Sequence, residues 1–431
     1  MENKKILNYC IDYLSKKSVD ESECLFTSHK LYEMGSENDK ISLLRTNYTQ
    51  KIEITAIKDN KKSTITTNEL SEEDLNKTLE KAVKLTESSK ADEDYRVSPK
   101  QDSKTSSKGD KKPNLDKMFE VLKNLIADIT KTFPKISLRN VVLKFDQYDK
   151  KYLNSNSTYF ESYKAYYTFA VTFMAKDGDK ISSFNYTGAS FTELPDDLFA
   201  FGNLKDILEQ TTKQLEPAPV SEKFEGDVII TPQCLGDIVG MLTRLGLQGQ
   251  AIYTKNSLLV DKLNESIADK SFTLHSNPVA DDISNGYFIT KDGYTAENLT
   301  IVDKGVLKSF LLDEYSAKKA KMERSKNNGR AFVVDPGNAD LADMVKNIKK
   351  GLFVARLSFG QPATNGDFSG IAKNSFYIEN GEIKNAVNET MIFGNVYKML
   401  NSINEISKDR VNLGNSIYPW ISFNGITISG K

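Results

Sequence analysis

Five Asn-Gly dipeptides, beginning at Asn285, Asn328, Asn365, Asn380 and Asn424, all fall in the second half of this 431-residue chain. Asn-Gly tolerates the positive φ angles of tight hairpins, and β-prone runs at 286–290, 306–313, 352–359 and 375–378 lie between the dipeptides. This punctuation predicts that 221–431 is a mainly antiparallel β domain, a sandwich or open barrel. One long helix is expected there from Pro232, where Leu235, Ile238, Val239, Leu242 and Leu245 recur at helical spacing, and a second over 340–349.

The first half reads differently. Ile6, Leu7, Cys10, Ile11 and Leu14 share one side of an opening helix. Strands are expected at 24–32, 41–46 and 51–57, where Ile52 and Ile54 alternate with Lys51 and Glu53. Ser71 and Asp74 form a capping-box pattern ahead of Leu75, Leu79, Ala82 and Val83, and a further helix runs from Asn114. Strands at 140–145 and 166–174 follow, the latter turning at Lys176-Asp177-Gly178-Asp179. The segment 96–113, with six basic and two acidic residues, reads as a flexible, solvated basic loop. Pro217 and Pro219 mark the boundary. The fold class is therefore α+β: an N-terminal α/β domain over 1–220, helices on an antiparallel sheet, and the β-rich domain over 221–431.

Lys plus Arg (58) balance Asp plus Glu (59), so no global basic field favours direct nucleic-acid binding. Apolar runs stay well short of the roughly 18 residues a membrane span needs. The first residues lack a signal-peptide pattern, and three cysteines without C-x-x-C spacing suit a reducing compartment, so a cytoplasmic location is expected. The chain has two histidines, His29 and His275, too few for a His-rich metal site.

Five stretches in order, VDKGVLKSFLLDEYSAKKA (302–320), NNGRAFVVDPGN (327–338), GDFSGIA (366–372), FYIENGEIKNAV (376–387) and MIFGNVYKML (391–400), resemble the TldD/PmbA family. That family is known as modulators of DNA gyrase and as microcin-processing metalloproteases. The resemblance implies a two-domain architecture and proteolytic chemistry. In the TldD branch a helix carries HExxxH, whose histidines bind zinc while the glutamate activates water, with a cysteine near the C-terminus as third ligand. Anchored on residues 253–259, that motif falls on Gly240, Met241 and Leu245, and residues 415–431 hold no cysteine. This chain resembles the PmbA/TldE branch, which lacks the zinc site and pairs with a TldD-type subunit.

The resemblance thus implies a non-catalytic subunit with no cofactor of its own, zinc residing in a TldD-type partner. Its expected partners are that homologous subunit, or itself as a dimer, and an extended peptide. The alternative is a stand-alone homo-oligomeric peptide- or protein-binding modulator, related to gyrase or to a toxin–antitoxin pair, without proteolysis. Gly366, Asp367, Ser369 and Gly370, with Asn395, are candidate cleft residues, because glycines let backbone approach a ligand and Asp and Ser offer polar anchors. A hairpin turn explains them equally well. Cys234, near a helix start, and His275, near the turn at Asn277-Pro278, are better read as structural residues. Asp281-Asp282 reads as solvated charge.

Overall fold

The computed structural model describes residues 3–37, 39–388 and 390–430. The alternation at Ile52 and Ile54 belongs to a much longer ladder than 51–57. After α1 (Asn3–Lys16) come β1 (Glu21–Glu37), β2 (Lys40–Lys58), β3 (Lys61–Thr67), α2 (Glu72–Ser88), β4 (Lys104–Lys108), α3 (Leu115–Thr132), β5 (Ile136–Asn154) and β6 (Tyr159–Asp177). The sheet order is β3-β2-β1-β5-β6-β4, and the strand Asn185–Phe191 also pairs with β6. Because side chains alternate between faces, one face of this sheet is apolar and the other polar.

The apolar face carries Cys24, Phe26, Ile52 and Ile54 beneath α1 and α2, and Leu143, Phe145 and Phe169 beneath α3 and α4 (Leu204–Thr212). Burying each such side chain contributes about 1.5–3 kcal/mol. Local signals agree with this packing. Ser71 Oγ accepts from Asp74 N at 3.2 Å at the start of α2, and Asn114 caps α3 through Lys117 N at 3.0 Å.

The 96–113 segment departs from expectation. Instead of a solvated flexible loop, it buries Val97 and Ser98 and adds β4 parallel to β6. One of its lysines is not an idle charge either, since Lys108 Nζ donates to the carbonyls of Ala280, Asp281 and Ile283 at 2.7, 3.0 and 2.9 Å, while Lys100, Lys104, Lys111 and Lys112 are exposed. A primary ammonium has three donors, and here all three are used across the two halves of the chain.

In the second half, one strand, Ile417–Ser429, organises a mixed sheet. It pairs antiparallel with Lys223–Ile230, Thr390–Asn395 and Ile403–Asn412. The expectation of a mainly antiparallel sheet holds for most pairs, but Lys223–Ile230 runs parallel to Lys350–Val354. α5 (Pro232–Leu242) packs Cys234, Leu235, Ile238 and Leu242 into the core with Ile421 and Phe423, and residues Thr243–Leu247 continue it as a π-helical turn. The second expected helix is the shorter Leu341–Lys346, with Asp340 at its N-cap position but making no side-chain cap. Short helices at Glu314–Ala320 and Val396–Asn401 were not evident from periodicity. Among the described residues no helix is long and apolar enough to cross a membrane.

Of the five Asn-Gly dipeptides, Asn380-Gly381 makes the expected two-residue hairpin, with φ of 51° and 78° between the paired residues Glu379 and Glu382. Asn424-Gly425 lies within Ile417–Ser429, where the register with Lys223–Ile230 shifts. Asn285-Gly286 and Asn328-Gly329 sit in loops facing the first domain, and 286–290 is loop rather than strand.

Candidate functional site

The polar face of the first sheet does not meet bulk solvent throughout; part of it forms one wall of a cleft of about 940 Å³ between the two domains. Strand register sets what that wall presents. β1 contributes Glu23 and Leu25, β2 Glu53 and Thr55, β5 Lys150 and Tyr152, and β6 Lys164. The opposite wall comes from the 285–291 and 328–332 loops and from the exposed side of α5, at Gln233 and Gly236.

The loop wall is built by close backbone approach. A Cβ on Gly286 would lie 1.8 Å from the carbonyl oxygen of Pro278, so that position admits no side chain. Gly329, Arg330 and Ala331 have φ of 85°, 70° and 49°, three successive left-handed residues. For the two non-glycine residues such a conformation costs of order 1–3 kcal/mol each. Three hydrogen bonds hold the run: Tyr287 Oη to Gly329 O at 2.6 Å, Ser276 Oγ to Arg330 O at 2.6 Å, and Asn277 N to Ala331 O at 2.9 Å.

The charges are separated along the cleft. Glu23 accepts from Tyr152 Oη at 2.7 Å, and burial nonetheless raises its carboxyl above the ordinary range. Lys164 Nζ donates to Asn285 Oδ1 and Gly286 O at 2.8 and 2.7 Å, joining the walls. Burial first, then the neighbouring charge of Lys150, push Lys164 down to about 8. Burial also lowers Lys150, aided by Lys51 and Arg330. Among the described residues, Lys150 Nζ and the Arg330 guanidinium make no hydrogen bond or ion pair, and Asn328 Nδ2 is buried without a partner.

The residues singled out in the sequence fall elsewhere. Asp367 pairs with Asn395 across two antiparallel strands and accepts from Asn395 Nδ2 at 2.8 Å and Asn365 Nδ2 at 2.7 Å. Asn395 Oδ1 caps the helix Val396–Asn401, accepting from Tyr397 N and Lys398 N. Gly366, at φ 90°, is required because a Cβ would meet the Tyr397 ring at 2.6 Å. Ser369 faces outward and Gly370 packs beside Leu357. Gly366 sits at a turn, while Asp367, Ser369 and Gly370 lie on the strand Asp367–Lys373, and none of them lines the large cleft or the smaller cavity of about 360 Å³. That smaller cavity holds Cys234, Asp237 and Arg356, and burial drives the Cys234 thiol far above its usual range. His275 is engaged by Thr300 Oγ1 at 3.0 Å and Asp335 Oδ1 at 3.2 Å. Asp281-Asp282 is exposed in a turn, not a strand, and gives its carbonyls to Lys108 and Asn412.

The positions matching the zinc motif do not suit a metal. Gly240 is exposed with open space where a Cβ would stand, Met241 is buried, and Leu245 packs against the core. Among the described residues no group of three or more His, Cys, Asp or Glu side chains is placed to hold a metal ion.

Two sheet-built halves enclosing a polar cleft define an α+β protein, and two family models match it. The PmbA/TldA metallopeptidase C-terminal domain matches residues 223–430 and PmbA/TldA metallopeptidase domain 1 matches residues 24–86. A metalloprotease PmbA homologue of Buchnera aphidicola is 31% identical over 176 residues, 40% of this chain and 37% of that one. A zinc metalloprotease TldD homologue of Saccharolobus solfataricus is 27% identical over 200 residues, 43% of this chain and 44% of the relative. The matched stretches thus span less than half the length of these curated relatives. Over the whole chain the fold follows a Bacteroides thetaiotaomicron protein named as a modulator of DNA gyrase, with TM-score 0.89 at 23% identity, covering 100% of this chain and 99% of the other. TldE from Thermococcus kodakarensis gives TM-score 0.82 at 20% identity, covering 99% and 100%. The chain belongs to the TldD/PmbA family.

Proposed function

We propose that this chain is a PmbA/TldE-like, non-catalytic member of the family, which binds an extended peptide in the interdomain cleft while a homologous TldD-type subunit supplies zinc and the hydrolytic step. The observation that carries this reading is the chemistry at the motif positions. Glycine, methionine and leucine stand at 240, 241 and 245, and none of them binds Zn²⁺ or activates water. The cleft supports the binding half of the reading, because it is large, polar at its walls and lined by loops whose backbone approaches closely.

The test uses the purified chain incubated with zinc, its metal content measured by mass spectrometry and its peptidase activity assayed alone and with an HExxxH-bearing homologue from the same source. The reading expects neither stoichiometric zinc nor cleavage from the lone chain, and zinc-dependent cleavage from the mixture. Zinc-dependent cleavage by the lone chain overturns it. A chain that associates only with itself and never with the homologue favours the stand-alone modulator.

A further inference from the structure

The cleft holds more positive charge than its own residues neutralise. Lys150, Lys164 and Arg330 converge on it from β5, β6 and the 328–332 loop. Their spacing follows from the ladder: Tyr148 pairs with Lys164 and Lys150 with Ser162, so Lys150 lies two residues along the strand on the same face. Two of the three cations make no hydrogen bond or ion pair with the described residues, and Lys164, with two of its three donors used, has one to spare. Asn328 Nδ2 adds a buried donor without an acceptor. The carboxylates around these cations do not fill this gap: Asp146, which acts on Lys164, is bonded to His29 Nε2 at 2.7 Å, Glu23 is bonded to Tyr152, and among the described residues Glu53 forms no ion pair with any of the three.

Lys150 and Lys164 stand half-buried in this cleft with unfilled donor capacity, a costly arrangement unless an anion completes it, and the exposed Arg330 lines the same cleft. The run at Gly329, Arg330 and Ala331 places Arg330 there through a backbone conformation that is itself unfavourable, and three hydrogen bonds maintain it. We infer that the cleft recognises a carboxylate of its bound peptide, held by Lys150, Lys164 and Arg330 with Asn328 Nδ2 as a neutral donor. This inference rests on the peptide-binding reading above and specifies its substrate class: peptides bearing a carboxylate, supplied by a free C-terminus or by an Asp or Glu side chain.

Calorimetric titration of the full chain with three N-acetylated hexapeptides of one neutral sequence tests it: the free acid, the C-terminal amide, and the amide with one internal Glu. A charge-assisted contact of this kind is expected to tighten binding roughly ten- to a hundredfold over the neutral amide. Tighter binding of the free acid alone identifies the chain terminus as the source, and tighter binding of the Glu peptide identifies the side chain. Either preference should vanish in Lys150→Met and fall in Arg330→Gln, an exposed position where loss of folding is not expected, with circular dichroism confirming both folds. Equal affinity for all three peptides overturns the carboxylate inference and leaves peptide binding intact. Binding of none overturns both. A preference unchanged in both folded variants overturns the assignment to these residues.

Discussion

Lys164 gives the account a direct electrostatic test. Burial, then Lys150 and Arg330, hold its ammonium near 8 against an unperturbed value of about 10.4, with Asp146 opposing them. Between these two values the unfolded chain binds more protons at this position than the folded chain, so the group's contribution to stability rises with pH across that window. Below about 8 the folded protein carries the full cost, about 3 kcal/mol when the difference is converted at 1.36 kcal/mol per pH unit. NMR of the ¹³C-labelled, unmodified protein, following the lysine Cε–Hε resonances with that of Lys164 assigned by its loss in Lys164→Arg, reads the midpoint. It should lie near 8 in the intact protein, rise in Lys150→Met as a like charge is removed, and rise on binding a carboxylate-bearing peptide. A midpoint above 10, or no change in Lys150→Met, would refute the convergence of these cations in a desolvated cleft.

Three further outcomes follow from the packing. Lys108→Met removes three charge-assisted hydrogen bonds that join β4 to the 280–283 turn, and urea unfolding should show a loss of about 2–4 kcal/mol, with faster proteolysis near residues 96–113. Asn395→Ala should cost about 1–2 kcal/mol by uncapping Val396–Asn401 and releasing Asp367, yet leave peptide affinity unchanged; a selective loss of affinity would restore that turn as a binding element. Cys234 should resist alkylation by iodoacetamide in the native protein at neutral pH and react on unfolding, since burial disfavours its thiolate; rapid native labelling would contradict its burial.

The sequence carried the fold class because period-2 and period-3.6 patterns are local. Ile52 and Ile54 marked the helix-covered face of the first sheet, and Leu235, Ile238 and Leu242 marked the buried side of α5. The same alternation also held the site in plain view, for Lys51 and Glu53 are the polar partners of that pattern. Periodicity says which face is polar, but not whether water or another domain lies against it, and the cleft depends on that non-local fact. The 96–113 segment misled in part for a related reason: Lys108 looks solvated like its neighbours until the carbonyls of 280–283 arrive from about 170 residues away. Asn285-Gly286 and Asn328-Gly329 were visible as backbone punctuation, yet a dipeptide that permits a hairpin also permits a loop pressed against a neighbour. Gly366 and Asp367 were legible as a special backbone site, and the hydrogen bonds of Asp367 with Asn365 and Asn395 account for the local geometry there. Laying the family's zinc motif on Gly240, Met241 and Leu245 rests on the resemblance alone, which no composition count could supply.

Peptide occupancy of the interdomain cleft underlies both the proposed function and the carboxylate preference. Photo-crosslinking of the full chain with a hexapeptide carrying benzoylphenylalanine, followed by mass-spectrometric mapping, reads that occupancy. Adducts are expected on both walls, within 148–166 and within 285–291 or 328–332. Adducts confined to the outward strand face around Ser369 and Phe393, with none in the cleft, would contradict it.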